Sequence, residues 1–126
     1  MNDLIMEGKK DSLEIICKSD GNISLTGNSI LPNALKFFQP VYDWITEYLK
    51  TPAENTVVTL KIEYIDTSSV QALFDMLKML REMPEYEDRL MVNWYFEYDD
   101  PELLEVGEIM EGRLKIKFNY IEHNLG

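Results

Sequence analysis

Three stretches of this chain alternate apolar and polar residues, and runs at helical spacing separate them. The alternating stretches cover residues 56–65, 92–98 and 113–120. A period of two predicts strands with one buried face and one solvated face. Strands that are covered on both faces are apolar throughout instead, so we expect the helices to lie on one side of the sheet only.

Three other segments carry apolar residues three and four positions apart and predict amphipathic helices. They are residues 34–49, 70–83 and 103–110. Pro40 lies inside the first segment, where we expect a kink or a division into two short helices. Asp100 and Pro101 supply a cap and a first-turn proline for the third helix, and Gly112 is expected to end it.

An Asp20-Gly21 turn between residues 13–18 and 22–27 predicts an opening hairpin. The predicted order is therefore β-β-α-β-α-β-α-β, and strands joined through helices should be parallel neighbours. We expect a two-layer α/β domain with a mixed sheet of about five strands and three main helices on one face. It should span residues 1–126 as a single domain, with residues 1–10 flexible.

The charge of the chain excludes several classes of partner. The sequence has 23 acidic against 12 basic residues, a formal net charge of −11. Such a surface repels phosphate backbones and anionic lipids, so we expect no nucleic acid and no membrane as partners. No run of about 20 apolar residues is present, and the first residues lack the pattern of a secretion signal. We therefore expect a cytoplasmic protein.

The turn between the strand at 56–65 and the second helix concentrates polar groups, reading Asp66-Thr67-Ser68-Ser69. Asp66 could cap the helix, or Ser68 could do so with Gln71 completing a capping box, and the sequence leaves both registers open. Neither register uses all four polar side chains. At least one hydroxyl is left beside a helix N-terminus, where unpaired amides favour an anion.

This turn resembles the phosphoacceptor turn of anti-anti-sigma (STAS) domains, where Asp-Ser-Ser-Gly is usual. It is more similar to the turn of the SiaC family of bacterial regulatory phosphoproteins, which carry Asn-Thr-Ser-Ser or a near variant. The likeness covers residues 11–122. It also includes the helix at 32–44, Val92-Asn93-Trp94-Tyr95, Asp99-Asp100 and Gly107-Glu108.

The resemblance implies a STAS-like fold and a non-enzymatic adaptor in c-di-GMP signalling and biofilm regulation. It implies phosphorylation of Thr67 by a Ser/Thr protein kinase and removal of the phosphate by a PP2C-type phosphatase. The unmodified form is implied to bind a diguanylate cyclase or a similar effector. Asp66 stands where the family carries asparagine, so a negative charge precedes the target hydroxyl. Ser68 is the alternative acceptor.

Partner recognition is predicted to use the turn and the exposed part of the second helix. The flanking polar residues are Asp66, Ser68, Ser69 and Gln71, and charge is offered by Asp75, Lys78, Arg81 and Glu82. A second cationic group, comprising Arg113, Lys115 and Lys117, is expected on the open side of the last strand.

Cofactor and metal chemistry find no support in the sequence, and we predict neither. The acids between Glu97 and Glu108 lack the converging spacing that a hard cation needs. No phosphate-binding glycine loop and no nucleophile elbow are present. The alternative to an adaptor is a domain that binds a small anionic ligand at the N-terminus of the second helix and is never phosphorylated.

Overall fold

Six strands and four helices make up residues 1–123, the part of the chain that the computed structural model describes. The strands are β1 (Leu4–Met6), β2 (Glu14–Cys17), β3 (Asn22–Ser29), β4 (Thr56–Ile65), β5 (Leu90–Glu97) and β6 (Lys117–His123). The helices are α1 (Ala34–Tyr48), α2 (Thr67–Leu80), α3 (Tyr86–Arg89) and α4 (Pro101–Leu114).

The strands form one mixed sheet in the order β1-β2-β3-β4-β5-β6. The first two pairs are antiparallel, and β3, β4, β5 and β6 are parallel neighbours, which confirms the predicted crossovers. Ile23, Val58, Val92 and Phe118 lie in register across the parallel strands, and all four are buried. The intervening positions are more exposed, so one face of the sheet carries the core.

The predicted hairpin joins β2 and β3. Gly21 has a φ of 103°, and the backbone N–H of Lys18 donates to the Asn22 carbonyl at 2.9 Å. A Cβ atom at Gly21 would overlap the carbonyl oxygen of Asn55. Only glycine therefore suits this turn, both for its backbone conformation and for the space that the next loop leaves.

The structure adds two short elements that the sequence analysis did not predict, β1 and α3. Residues of β1 pair with β2, and the indole N–H of Trp44 donates to the Asn2 carbonyl at 2.9 Å. These contacts lie within the segment 1–10 for which we expect flexibility. Three or four residues are too few to show a period, so neither element has a recognisable pattern in the sequence.

The boundary between α4 and β6 corrects two predictions. Gly112 does not end the helix, which runs to Leu114 and is closed by Lys115 with a φ of 58°. The N–H of Lys115 donates to the Glu111 carbonyl at 2.8 Å, as in a left-handed helix cap. Arg113 therefore lies on α4 and only Lys117 lies in β6, so the predicted cationic row along the last strand is wrong.

Helix α1 continues through Pro40 without a break, so of the two expected outcomes, a kink or a division, the division into two short helices is wrong. A proline at position 40 removes the hydrogen bond to the Lys36 carbonyl. Both residues are exposed. Water can therefore reach the carbonyl that the proline leaves free, and the helix continues.

The core between sheet and helices contains both tryptophans, as predicted. Trp94 is 2% exposed, and its indole N–H donates to the Leu103 carbonyl at 3.2 Å. Trp44 stacks on Tyr48 with ring centroids 4.9 Å apart. Burial raises the pKa of the Cys17 thiol to about 12, so this side chain packs as an apolar group.

Candidate functional site

The turn of interest, residues 66–69, connects the C-terminal end of β4 to the first turn of α2. Asp66 is the N-cap, and its Oδ1 accepts a hydrogen bond from the Ser69 N–H at 2.8 Å. Its backbone carbonyl accepts from the Val70 N–H at 3.0 Å. Of the two registers that the sequence left open, the structure has the one capped by Asp66.

The second carboxylate oxygen of Asp66 reaches a different part of the chain. Oδ2 accepts from the backbone N–H of Leu31 at 2.8 Å, in the loop between β3 and α1. Burial acts to raise the pKa of Asp66, but the hydrogen bonds from Ser69 and Leu31 outweigh it and hold the pKa below its usual value. An asparagine would offer one acceptor oxygen where this aspartate uses two.

Ser69 is fully buried, and its hydroxyl both accepts and donates a hydrogen bond. The Ser29 hydroxyl donates to Ser69 Oγ at 2.6 Å, and the Ser69 hydroxyl donates to the Ser29 carbonyl at 3.2 Å. The pair joins the end of β3 to the start of α2. A kinase has no access to the Ser69 oxygen in this arrangement, so its role is structural.

Ser68 and Thr67 are both exposed, but they differ in their contacts. Ser68 Oγ accepts from the backbone N–H of Ala34 at 3.3 Å, which links the first turns of α1 and α2. The Thr67 hydroxyl has no hydrogen bond to any residue between 1 and 123. Thr67 is therefore the hydroxyl of the turn that is both accessible and free.

The other predicted partner-binding residues extend from Thr67 along the exposed side of α2. Gln71 lies one helical turn after Thr67, and its Nε2 donates to Asp75 Oδ1 at 3.0 Å. Lys78 follows on the same side and is exposed. Arg81 departs from this group, because its Nη1 donates to the Leu114 carbonyl at 2.9 Å and holds α2 against the end of α4.

Sequence reasoning missed the residues that hold the turn from outside, namely Ser29, Leu31 and Ala34. Leu31 and Ala34 act through backbone N–H groups, which every non-proline residue possesses, so no side-chain pattern marks them. Ser29 could have been suspected, because a serine at the C-terminal end of an otherwise apolar strand face needs a partner when it is buried.

A cavity of about 540 Å³ lies away from the turn, at the N-terminal ends of β4, β5 and β6. Its arginine, Arg89, donates to the carbonyls of Pro52, Ala53, Glu54 and Pro84 and so holds the surrounding loops together. Within residues 1–123, no group of three or more His, Cys, Asp or Glu side chains is arranged to hold a metal ion.

Comparison with known proteins connects this geometry to a family. A family model described as "SiaC family regulatory phosphoprotein" matches residues 6–123. The chain belongs to this family. The resemblance seen in the sequence is thereby confirmed over almost the whole chain.

Solved structures of SiaC from Pseudomonas aeruginosa share the fold. The apo-SiaC structure is 25% identical in sequence, with a TM-score of 0.84, covering 96% of this chain and 99% of that chain. A second is described as the diguanylate cyclase SiaD in complex with its activator SiaC, with 24% identity, a TM-score of 0.86, and coverage of 96% and 100%. The predicted mixed α/β class is confirmed.

A sequence relative was also found in Pseudomonas aeruginosa (strain UCBPP-PA14). This uncharacterized protein is 26% identical over 88 residues, which is 70% of each chain. As for the membrane, none of the helices within residues 1–123 combines the length and apolar character needed to cross a bilayer.

Proposed function

We propose that this SiaC family protein is a non-enzymatic adaptor whose docking is controlled by a phosphate on Thr67. A Ser/Thr protein kinase adds the phosphate and a PP2C-type phosphatase removes it. The unmodified form binds a diguanylate cyclase in the cytoplasm and thereby controls c-di-GMP signalling.

The observation that supports Thr67 is the difference between the three hydroxyls. Ser69 is buried and bonded to Ser29, and Ser68 accepts from Ala34. Thr67 is exposed and has no hydrogen-bond partner in residues 1–123. A kinase can take its hydroxyl without breaking a contact that holds α2, α1 and β3 together.

The phosphate would act mainly on docking rather than on the fold. It adds about −1.5 to −2 charges at the N-terminus of α2. The helix dipole favours such a charge by only about 0.3–1 kcal/mol. Unit charges 4 Å apart interact with about 1 kcal/mol in water and about 4 kcal/mol near a protein surface, so repulsion from the Asp66 carboxylate offsets that gain. The phosphate therefore gains little within the turn, and its main effect is on a partner that docks there.

Asp66 also bears on how the kinase meets the turn. Both of its carboxylate oxygens accept backbone N–H groups, from Ser69 and from Leu31. Much of its hydrogen-bonding capacity is therefore directed into the fold, away from an incoming enzyme. The aspartate in this chain can replace the family's asparagine as a cap and still leave the Thr67 hydroxyl accessible.

The cyclase as partner is supported by the relative that shares the fold. SiaC of Pseudomonas aeruginosa is described as the activator of the diguanylate cyclase SiaD and was solved in complex with it. The outer side of α2, with Gln71, Asp75 and Lys78 following Thr67, offers polar groups for such a contact.

The test is phosphorylation mapping followed by binding. The chain is incubated with the Ser/Thr kinase of its own organism, and the modified residue is identified by mass spectrometry in the wild type, Thr67→Val and Ser68→Ala. We expect phosphate on Thr67 in the wild type and in Ser68→Ala, and none in Thr67→Val. Labelling of Ser68 would contradict the residue assignment. A protein that no kinase labels, but that phosphate-bearing metabolites stabilise in a thermal-shift assay, would contradict the proposed function.

A further inference from the structure

A groove runs between α2 and α4 beside the proposed phosphoacceptor. Its volume is about 180 Å³. The apolar side chains that line it are Val70 and Phe74 from α2 and Val106, Ile109 and Met110 from α4. Ile109 is 51% exposed, whereas Met110 at the floor is 3% exposed. The groove is thus an apolar surface that remains open to solvent.

The charge in this groove is cationic, in contrast to the protein as a whole. Arg113 is the charged side chain that lines it, and it is exposed. Arg113 forms no ion pair with any residue between 1 and 123. In a chain with a net charge of −11, an unpaired arginine beside an apolar groove favours a partner that brings an acidic group.

The groove begins next to Thr67. On a helix, residues three and four positions apart share a face, so Thr67 lies on the same side of α2 as Val70 and Gln71. Both of these residues line the groove. A phosphate on Thr67 would therefore add a dianion at one end of the groove.

We propose that this groove seats an amphipathic helix of the effector, with its apolar side on Phe74 and Ile109 and an acidic residue opposite Arg113. A helix fits because the lining is apolar, and amphipathic helices bind apolar grooves through anchors at i, i+3, i+4 and i+7. The stretch of α4 from Val106 to Arg113 is about 10 Å long, which two turns of a helix cover. The inference rests on the proposed function, because it names the surface that the effector contacts.

The same contact accounts for control by phosphate. An acidic helix seated over Val70 would approach the dianion on Thr67, and both the repulsion and the desolvation of the phosphate oppose binding. A basic partner would respond in the opposite direction. Weaker binding after phosphorylation therefore indicates an acidic partner group opposite Arg113, and stronger binding would indicate a basic one.

Two substitutions test the groove, each with a matched control. Ile109→Asp introduces a charge into the apolar surface, and Ile5→Asp makes the same change on β1, where Ile5 is 72% exposed. Arg113→Glu reverses the groove charge, and Lys18→Glu makes a charge reversal at the β2–β3 turn. Affinity for the purified diguanylate cyclase of the same organism is measured by calorimetry with unphosphorylated protein, and thermal unfolding checks that each variant is folded.

We expect Ile109→Asp and Arg113→Glu each to weaken binding by about tenfold or more, as at an interface hot spot. Ile5→Asp and Lys18→Glu should stay within about twofold of wild type. The Arg113→Glu effect should shrink in high salt, because it is electrostatic.

The possible failures are distinguishable. A wild type that binds the cyclase while all four variants bind equally well would overturn the groove and leave the proposed function standing. A wild type that binds no cyclase would overturn both. If sedimentation shows a dimer of this chain that Ile109→Asp dissociates, then a second copy occupies the groove and the proposal is wrong.

Discussion

Asp66 Oδ2 accepts the backbone N–H of Leu31 at 2.8 Å. Because Oδ1 of the same carboxylate caps α2 through the Ser69 N–H, one side chain joins the β3–α1 loop to the start of α2. Ser68 repeats this connection through Ala34 at 3.3 Å. The turn that carries Thr67 is therefore fixed by contacts with a segment more than 30 residues away, and Thr67 alone among its hydroxyls takes no part in them.

Replacing Asp66 by asparagine tests this double role. The asparagine side chain can still cap α2 through its one oxygen, but its NH₂ group would face the N–H of Leu31. We expect Asp66→Asn to lower the free energy of unfolding by about 1–3 kcal/mol, the cost of leaving a hydrogen-bonding group unsatisfied. Urea denaturation measures the change. Asp43→Asn is the control, because Asp43 accepts from the exposed Gln39 side chain and its loss should change stability by no more than about 0.5 kcal/mol.

The depressed pKa of Asp66 predicts a pH dependence of stability. A carboxyl with a lower pKa in the folded state stabilises the fold at and above its unfolded value, about 3.9, and this contribution is lost as the pH falls through the folded value. The difference in unfolding free energy between wild type and Asp66→Asn should therefore be largest near neutral pH and shrink below about pH 4. A difference that stays constant down to acid unfolding would show that the carboxylate charge does not matter.

The buried serine pair should be energetically coupled. Ser69→Ala leaves the buried Ser29 hydroxyl without its acceptor and should cost about 1–3 kcal/mol. Ser29→Ala removes the same hydrogen bond but leaves the Ser69 hydroxyl donating to the backbone carbonyl of residue 29, so it should cost only about 0.5–1.5 kcal/mol. In a double-mutant cycle the two costs should not add, with a coupling of at least about 0.5 kcal/mol. Ser24→Ala, on the same strand and only half-buried, is the control. Additive costs would mean that the two hydroxyls act independently.

Two glycines on α4 should respond to alanine with opposite signs. A Cβ at Gly107 would lie 2.8 Å from the Trp94 ring, whereas at Gly112 nothing lies within 4 Å. Alanine is favoured over glycine in a helix by about 1 kcal/mol, so Gly112→Ala should stabilise the protein. Gly107→Ala should destabilise it by about 1–3 kcal/mol, because the overlap with a buried ring exceeds that gain. Thermal unfolding of both variants measures the two changes in stability. If both variants were stabilised, or both destabilised, the close packing of Trp94 on Gly107 would be refuted.

Much of this fold could be predicted because its strands alternate and its helices begin at strong caps. Asp100 and Pro101 marked the start of α4, and Gly21 marked the hairpin. The end of α4 could not be predicted. Leu114 and Ile116 are both buried, and their apolar side chains fit the end of the helix as well as the start of the last strand. The helix ends where Lys115 adopts a left-handed conformation. Glycine is the residue that usually marks this conformation in a sequence, and lysine does not.

The candidate site could also be predicted only in part. The turn and its hydroxyls were visible as a polar cluster between apolar patterns, and the resemblance singled out Thr67. The sequence could not show which serine is buried, because Ser68 and Ser69 are chemically identical and differ only in their position on α2. The α2–α4 groove was equally hidden, since Val106 and Ile109 read as ordinary core positions until the spacing of the two helices is known.

The most direct test of the adaptor proposal compares the affinity of one purified diguanylate cyclase for unmodified and for Thr67-phosphorylated protein. Thr67→Val serves as the form that cannot be modified. We expect the unmodified wild type and Thr67→Val to bind alike, and phosphorylation to weaken binding of the wild type by about tenfold or more, or about 1.4 kcal/mol. Equal affinity of the two phosphorylation states would contradict the account.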